Sequence, residues 1–348
     1  MDRRAAFLGL ATVLTGCSMP SIHKNYQTKC HPESTENIEI EGQDNSSKYQ
    51  KLWAHEHHED AGEAINYHQG KVFSGSKDNS ILAACAEDGD LIWRKDLRDT
   101  TPRDLFAIDG TQYSALVNGE VIAVDVKDGS IDWTHEHHDD AVWEIHENDG
   151  IIYSAGRDAK VVAADSSDGS LLWSHEAHHV DGNHSNEMVR TVFHSDGVVY
   201  SAGFDGRIFA ASADSGEILW EFEFGHSIKS VEEVDGKVYF APWSQDVEYD
   251  VLVVDPSSSR TIDAHSHHNE QKSGHRGDHV GAEELHVSNE VVYSAGDGGD
   301  LVAAIIPDLT LLYKHREHEA SVRSITSNNN ITYTTARDGN VIAYGPSQ

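Results

Sequence analysis

Short apolar runs of four to six residues, rich in Val, Ile, Ala and Tyr, recur along this chain and are separated by Gly, Asp and Asn turns. The clearest unit is VVAADSSDGSLLW at 161–173. The same pattern stands upstream as VIAVDVKDGSIDW, ending at Trp133, and as ILAACAEDGDLIW, ending at Trp93; downstream it returns as RIFAASADSGEILW, ending at Trp220. Starting from Trp53, the tryptophans step by 40, 40, 40 and 47 residues. A fixed period in this range marks a repeat architecture. Each unit also carries Y-S-A-G-x-D, as at 153–158 and 200–205, behind a turn such as Asn148-Asp149-Gly150. Runs this short, bounded by such turns, predict strands joined by tight hairpins. Four strands per unit make one propeller blade.

Units end at Trp93, Trp133, Trp173 and Trp220, then near Asp263, where the tryptophan is lost, and at Tyr313, which keeps an aromatic. Residues 321–344 supply three more strands and then stop, whereas 49–53, ending in Trp53, supply a fourth strand with no unit before it. Together these halves predict one blade, which closes the ring and removes an open edge. The expected fold is therefore all-β, a seven-bladed β-propeller over 49–348. Its blades fall at 54–93, 94–133, 134–173, 174–220, 221–262, 263–313 and 314–345 plus 49–53. An insertion at 243–249 disturbs blade 5, and a long polar loop at 263–279 leads into blade 6.

Charge narrows the class of partner. Lys and Arg number 26 against 59 Asp and Glu, a formal charge of −33, while 38% of residues are hydrophobic. Such a chain can bury a core beneath an acidic surface that repels nucleic acid and anionic lipid. The surface is similar to that of proteins that stay soluble in concentrated salt, which implies a salt-adapted microbe. At the start, Arg3-Arg4 and the apolar run 5–14, too short to span a bilayer, predict an export signal over 1–16. The arginine pair resembles a twin-arginine signal and 14–17 resembles a lipobox, which implies lipid attachment at Cys17. Residues 17–48, polar and without periodicity, predict a disordered spacer. The expected location is therefore the cell surface, exported and membrane-anchored. Three Asn-x-Ser/Thr sequons, at Asn45, Asn183 and Asn330, are compatible with export. Cys30 and Cys85 could pair outside the cell, but nothing in the sequence places them together.

The segment A-x-D-x-x-D-G-x-x-x-W, at 123–133 and 163–173, resembles the tryptophan-docking motif of pyrroloquinoline-quinone-type propeller repeats. The resemblance covers nearly all of 49–345 and implies that Trp53, Trp93, Trp133, Trp173 and Trp220 each pack on the next blade. A second resemblance is to WD repeats, in which a loop His, a strand Ser or Thr and a turn Asp form a structural hydrogen-bonded chain. The spacing is met by His58, Ser74 and Asp78; by His138, Ser154 and Asp158; and by His318, Thr334 and Asp338. The tryptophan that completes that family's tetrad is replaced by Ala84, Ala164 and Tyr344. Three copies at repeat spacing argue for scaffolding, because Ser-His-Asp catalysis needs one site with an oxyanion hole. No catalytic residue is assigned.

The chain has 24 histidines, concentrated in the loops leading into the blades. Imidazole is a common ligand for zinc, copper and nickel, so His55, His57, His135, His137, His175, His178, His265 and His267 are candidate metal ligands. Duplication of one His-bearing unit accounts for the same abundance without metal, and no cofactor is expected. The quinoprotein dehydrogenases that share the repeat have eight blades, a vicinal cysteine pair and acidic calcium ligands. Here there is neither an adjacent cysteine pair nor a C-x-x-C-H haem site.

Three functions stay open. The first is a non-catalytic interaction scaffold with a protein partner at the cell surface, resembling the lipoprotein propellers of outer-membrane assembly. The second is a metal-binding or metal-sensing surface protein, and the third a quinone-dependent dehydrogenase. Trp143, at the start of an inner strand, and Trp243, in the blade 5 insertion, lie outside the docking set. Trp243 is the better contact candidate.

Overall fold

The computed structural model describes residues 49–176, 178, 188–243, 249–266, 282–288, 290–296, 298–306, 309–316, 318–328 and 330–346. The expected signal and spacer, Cys17, Cys30 and His267 lie outside them. The described strands form seven four-stranded antiparallel sheets, blades 1 to 7, whose first strands stand side by side around one axis. These inner strands are Gly62–His68, Pro102–Ile108, Val142–Asn148, Val189–Ser195, Ile228–Val234, Ala282–Ser288 and Val322–Asn328. Blade 7 takes its outermost strand from the other end of the chain. Tyr49–His55 pairs antiparallel with Val341–Pro346, placing Trp53 opposite Ala343.

Burial explains why the middle strands read as continuous apolar runs. Each blade is covered on both faces by its neighbours, so all six residues of Ser80–Cys85 are buried. The outermost strand Ile218–Glu223, covered on one face, alternates half-buried and exposed residues. The core is correspondingly divided among the blade interfaces. Phe73, Ile81 and Trp93 of blade 1, for instance, pack with Leu105, Ile122 and Val124 of blade 2.

The tryptophans join consecutive blades through the turn between the third and fourth strands. Trp93 donates its indole N–H to the carbonyl of Val126 (3.1 Å) and lies on Gly129. Trp53, Trp133 and Trp173 do the same with Ala86, Ser166 and Ala213. The turn glycine is required on two counts. Gly129 has φ 74°, which favours glycine, and a Cβ there would meet the Trp93 ring at 2.9 Å. In blade 5 Ser259 takes that place at φ 50°, and its hydroxyl accepts the Trp220 indole N–H at 2.9 Å.

Every outer strand carries a bulge just before its docking position, leaving one residue unpaired. In blades 3, 4 and 5 that residue is Leu172, Leu219 and Ile262, each about half exposed. Cys85 is buried and disulfide-bonded, and its partner lies outside the described residues. No helix among the described residues is long and apolar enough to cross a membrane.

Candidate functional site

The histidine, hydroxyl and aspartate residues singled out by spacing come together. His58 Nε2 lies 2.8 Å from Ser74 Oγ, with Nδ1 3.3 Å from Asp78. His138 lies 2.9 Å from Ser154 and 2.8 Å from Asp158, and His318 lies 2.8 Å from Thr334 and 3.0 Å from Asp338. Each aspartate also accepts the backbone N–H that follows its histidine. Burial pushes His58 down to about 4 against the pull of Asp78. For Asp338, burial pushes upward, but hydrogen bonds from His318 and from backbone amides prevail and hold it at about 2. These groups brace the loops that lead into the blades.

The histidines proposed as metal ligands do not share one surroundings. His178 is a fourth member of the bracing set, 3.0 Å from both Ser201 and Asp205. Its side chain is fully buried. Imidazole nitrogens of His55, His57 and His137 bond the turn carbonyls of Asp88, Gly89 and Gly169 in the following blade. His135 is exposed beside Trp133. His175 is half-buried, and burial followed by the neighbouring His178 lowers its pKa. His265 lies 3.1 Å from Asp263. Among the described residues no three His, Cys, Asp or Glu side chains form a group able to hold a metal ion.

The densest chemistry lies on the axis, and sequence reasoning missed it. Each inner strand has a bulge at its second residue. A bulge re-aims the extra side chain, and here it yields one residue per blade: Glu63, Arg103, Trp143, Arg190, Lys229, Glu283 and Arg323. Arg103 and Lys77 pair with Glu63; Lys229 pairs with Glu283; Arg323 reaches both, at 3.7 and 3.0 Å. Trp143 lies against the guanidinium groups of Arg103 (4.9 Å) and Arg190 (5.1 Å), the arrangement favoured by the negative face of an indole. Lys229 lies 4.6 Å from the Trp243 ring centre, which brings that tryptophan to the same ring.

One residue further along, the inner strands contribute Asp104, Glu144 and Glu284. Burial raises all three. Asp104 rises to about 6, restrained by hydrogen bonds from the backbone of Ile145 and Leu105. Glu284 rises to about 8 despite Arg190, which lies 3.8 Å away. Glu144 is raised by burial and then by the charges of Glu284 and Asp104. Side chains from one blade also cap free amides on the inner edge of the next. Asp104 accepts from Ile145, Asn66 from Ala107, Thr191 from Val231, Glu232 from Val287 and Thr326 from Tyr67. Edge amides facing a narrow channel would otherwise lack partners.

The chain has no adjacent cysteines, and among the described residues the axial carboxyls form no group of three able to hold a metal ion.

No curated protein sequence matches the chain. Among solved structures, the computationally designed Ika8 protein superposes with a TM-score of 0.62 at 19% identity. The match covers 85% of this chain and 99% of that one, and at such identity it shows the fold alone. The sequence pattern of the family described as outer membrane protein assembly factor BamB matches residues 48–148 and 140–347, nearly the whole propeller. The chain belongs to this family of pyrroloquinoline-quinone-type propeller repeat proteins.

Proposed function

We propose that the protein is a non-catalytic interaction scaffold of the cell envelope, held to a membrane through lipid on Cys17. The observation that carries this reading is a set of exposed apolar side chains on the outermost strands of four consecutive blades. Ile131 (41% exposed), Leu171 (61%), Leu172 (51%), Leu219 (58%) and Ile262 (48%) all lie on outermost strands of blades 2 to 5, on a chain of charge −33. Large apolar side chains left exposed on the edge strands of so charged a protein offer contacts to a partner. These strands end their sheets, so an extended apolar segment of a protein partner can add a strand while its side chains meet the leucines. The family's assembly-factor description supports the same reading.

A photo-reactive residue at position 172 or 219, in cells, should give one discrete crosslinked protein. The same residue at Asp128 should not. Leu172→Glu with Leu219→Glu should weaken co-purification of that protein at least tenfold. Crosslinking that is equal at all three positions, or co-purification that survives the double substitution, would exclude the rim.

The anchor makes a separate prediction. The chain has three cysteines, and Cys85 is disulfide-bonded. If Cys17 carries lipid, Cys30 alone is left to pair with it. Peptide mapping without reductant should find Cys30 joined to Cys85 and a lipid-modified Cys17; a Cys17–Cys85 peptide would exclude the anchor.

A further inference from the structure

We propose that the mouth of the axial channel binds one small polyatomic oxyanion, a dicarboxylate or a phosphate. This goes beyond the scaffold reading and rests on different residues. The seven bulge residues place four cations, Arg103, Arg190, Lys229 and Arg323, against two carboxylates, Glu63 and Glu283. Asp104, Glu144 and Glu284 stand one residue further along, and burial raises all three, on a chain whose net charge is −33. Arg190 is the one of the four whose nearest ion-pair contact among the described residues is as long as 3.8 Å. The partner in that contact is Glu284, a carboxyl that burial keeps protonated up to about pH 8.

Hydrogen bonding points the same way. The Nε atoms of Arg103 and Arg323 and the indole Nε1 of Trp143 are buried with no hydrogen-bond partner among the described residues. Unpaired buried donors are rare and call for an acceptor. Three such donors on one ring match the several acceptor oxygens of an oxyanion, and guanidinium groups recognise carboxylate and phosphate with paired N–H bonds. Several donors that need separate acceptors favour a polyatomic oxyanion over chloride. The mouth is open to solvent, since the side chains of Arg103 and Arg190 are 22% and 12% exposed.

The test is calorimetric titration and thermal unfolding of the full chain with phosphate, succinate or chloride, at constant ionic strength. Phosphate or succinate should bind with one ion per chain and raise the unfolding temperature, whereas chloride should do neither. Comparison of the two active ions decides between a phosphoryl and a dicarboxylate ligand. Arg190→Gln should weaken binding at least tenfold. Trp143→Phe, which keeps the ring between the arginines and removes only the N–H donor, should also weaken it, and reads the site even if Arg190→Gln fails to fold. An effect equal to that of chloride, or one undiminished in Trp143→Phe, would overturn the proposal and leave the donors to water.

Discussion

Replacing Trp93 by alanine is expected to destabilise the propeller by about 3–5 kcal/mol, the range for removing a large buried aromatic. Trp93 is the most enclosed docking tryptophan, 8% exposed, with Phe73 at 6.0 Å and Gly129 beneath its ring. The substitution opens a cavity between blades 1 and 2, and the Val126 carbonyl loses its indole donor. Gly129 cannot fill the space, because its φ of 74° disfavours any larger residue. Trp133, half-buried in the equivalent position, should cost less when truncated. Urea unfolding of both variants beside the parent would measure the difference. A Trp93→Ala cost under about 1 kcal/mol would mean that the blades are held by their sheet faces and not by the docked indoles.

Glu284→Gln is expected to weaken the fall of stability with rising pH near neutrality. In the folded protein burial keeps Glu284 protonated up to about pH 8, against an ordinary value of 4.5. Between those limits the folded state holds a proton that the unfolded chain releases. Stability therefore falls as pH rises through this window, and the stabilising contribution is complete only below the unfolded value. Glutamine carries the same shape and no ionisable proton. It should be close to neutral at pH 4.5, increasingly stabilising up to about pH 8, and constant above that. The gain would be a few kcal/mol, since each tenfold difference in proton affinity between folded and unfolded chain is worth about 1.4 kcal/mol. Thermal unfolding from pH 4 to 9 would show the two curves diverging upward in pH. Parallel curves would show that Glu284 is ionised in the folded protein.

The ring was legible because repetition averages out local ambiguity. One run such as VVAAD could be strand or buried helix, but its recurrence with Asp-Gly turns and a tryptophan leaves only a blade. The split blade followed from the orphan strand at Trp53. Insertions hid other features: His178 precedes its serine by 23 residues where His58, His138 and His318 precede theirs by 16, so a fixed spacing passed over it. The axial ring was hidden by the opposite cause. Two residues before the aliphatic residue of each inner strand (Ile65, Leu105, Ile145, Val192, Val231, Leu285, Ile325), the chain reads Glu, Arg, Trp, Arg, Lys, Glu, Arg. Aligning what repeats discards a position whose residue changes from blade to blade. Such positions, free of the packing demands that keep the rest alike, are where one site can be written on a repeated frame. The histidines carry more than one reading because imidazole is versatile. Several of them here simply bond a neighbouring turn carbonyl.

The closure of blade 7 has a consequence for how the protein is made. Strand 49–55 precedes every other strand of the propeller, yet the residues it pairs with, 341–346, come after nearly all of them. It must wait unpaired while six blades form, and joining ends so far apart carries a loop-closure cost that local hairpins avoid. A nascent chain halted before residue 341 is thus an open arc with two raw sides, never a smaller ring. Its exposed faces are the kind of surface on which incomplete chains aggregate.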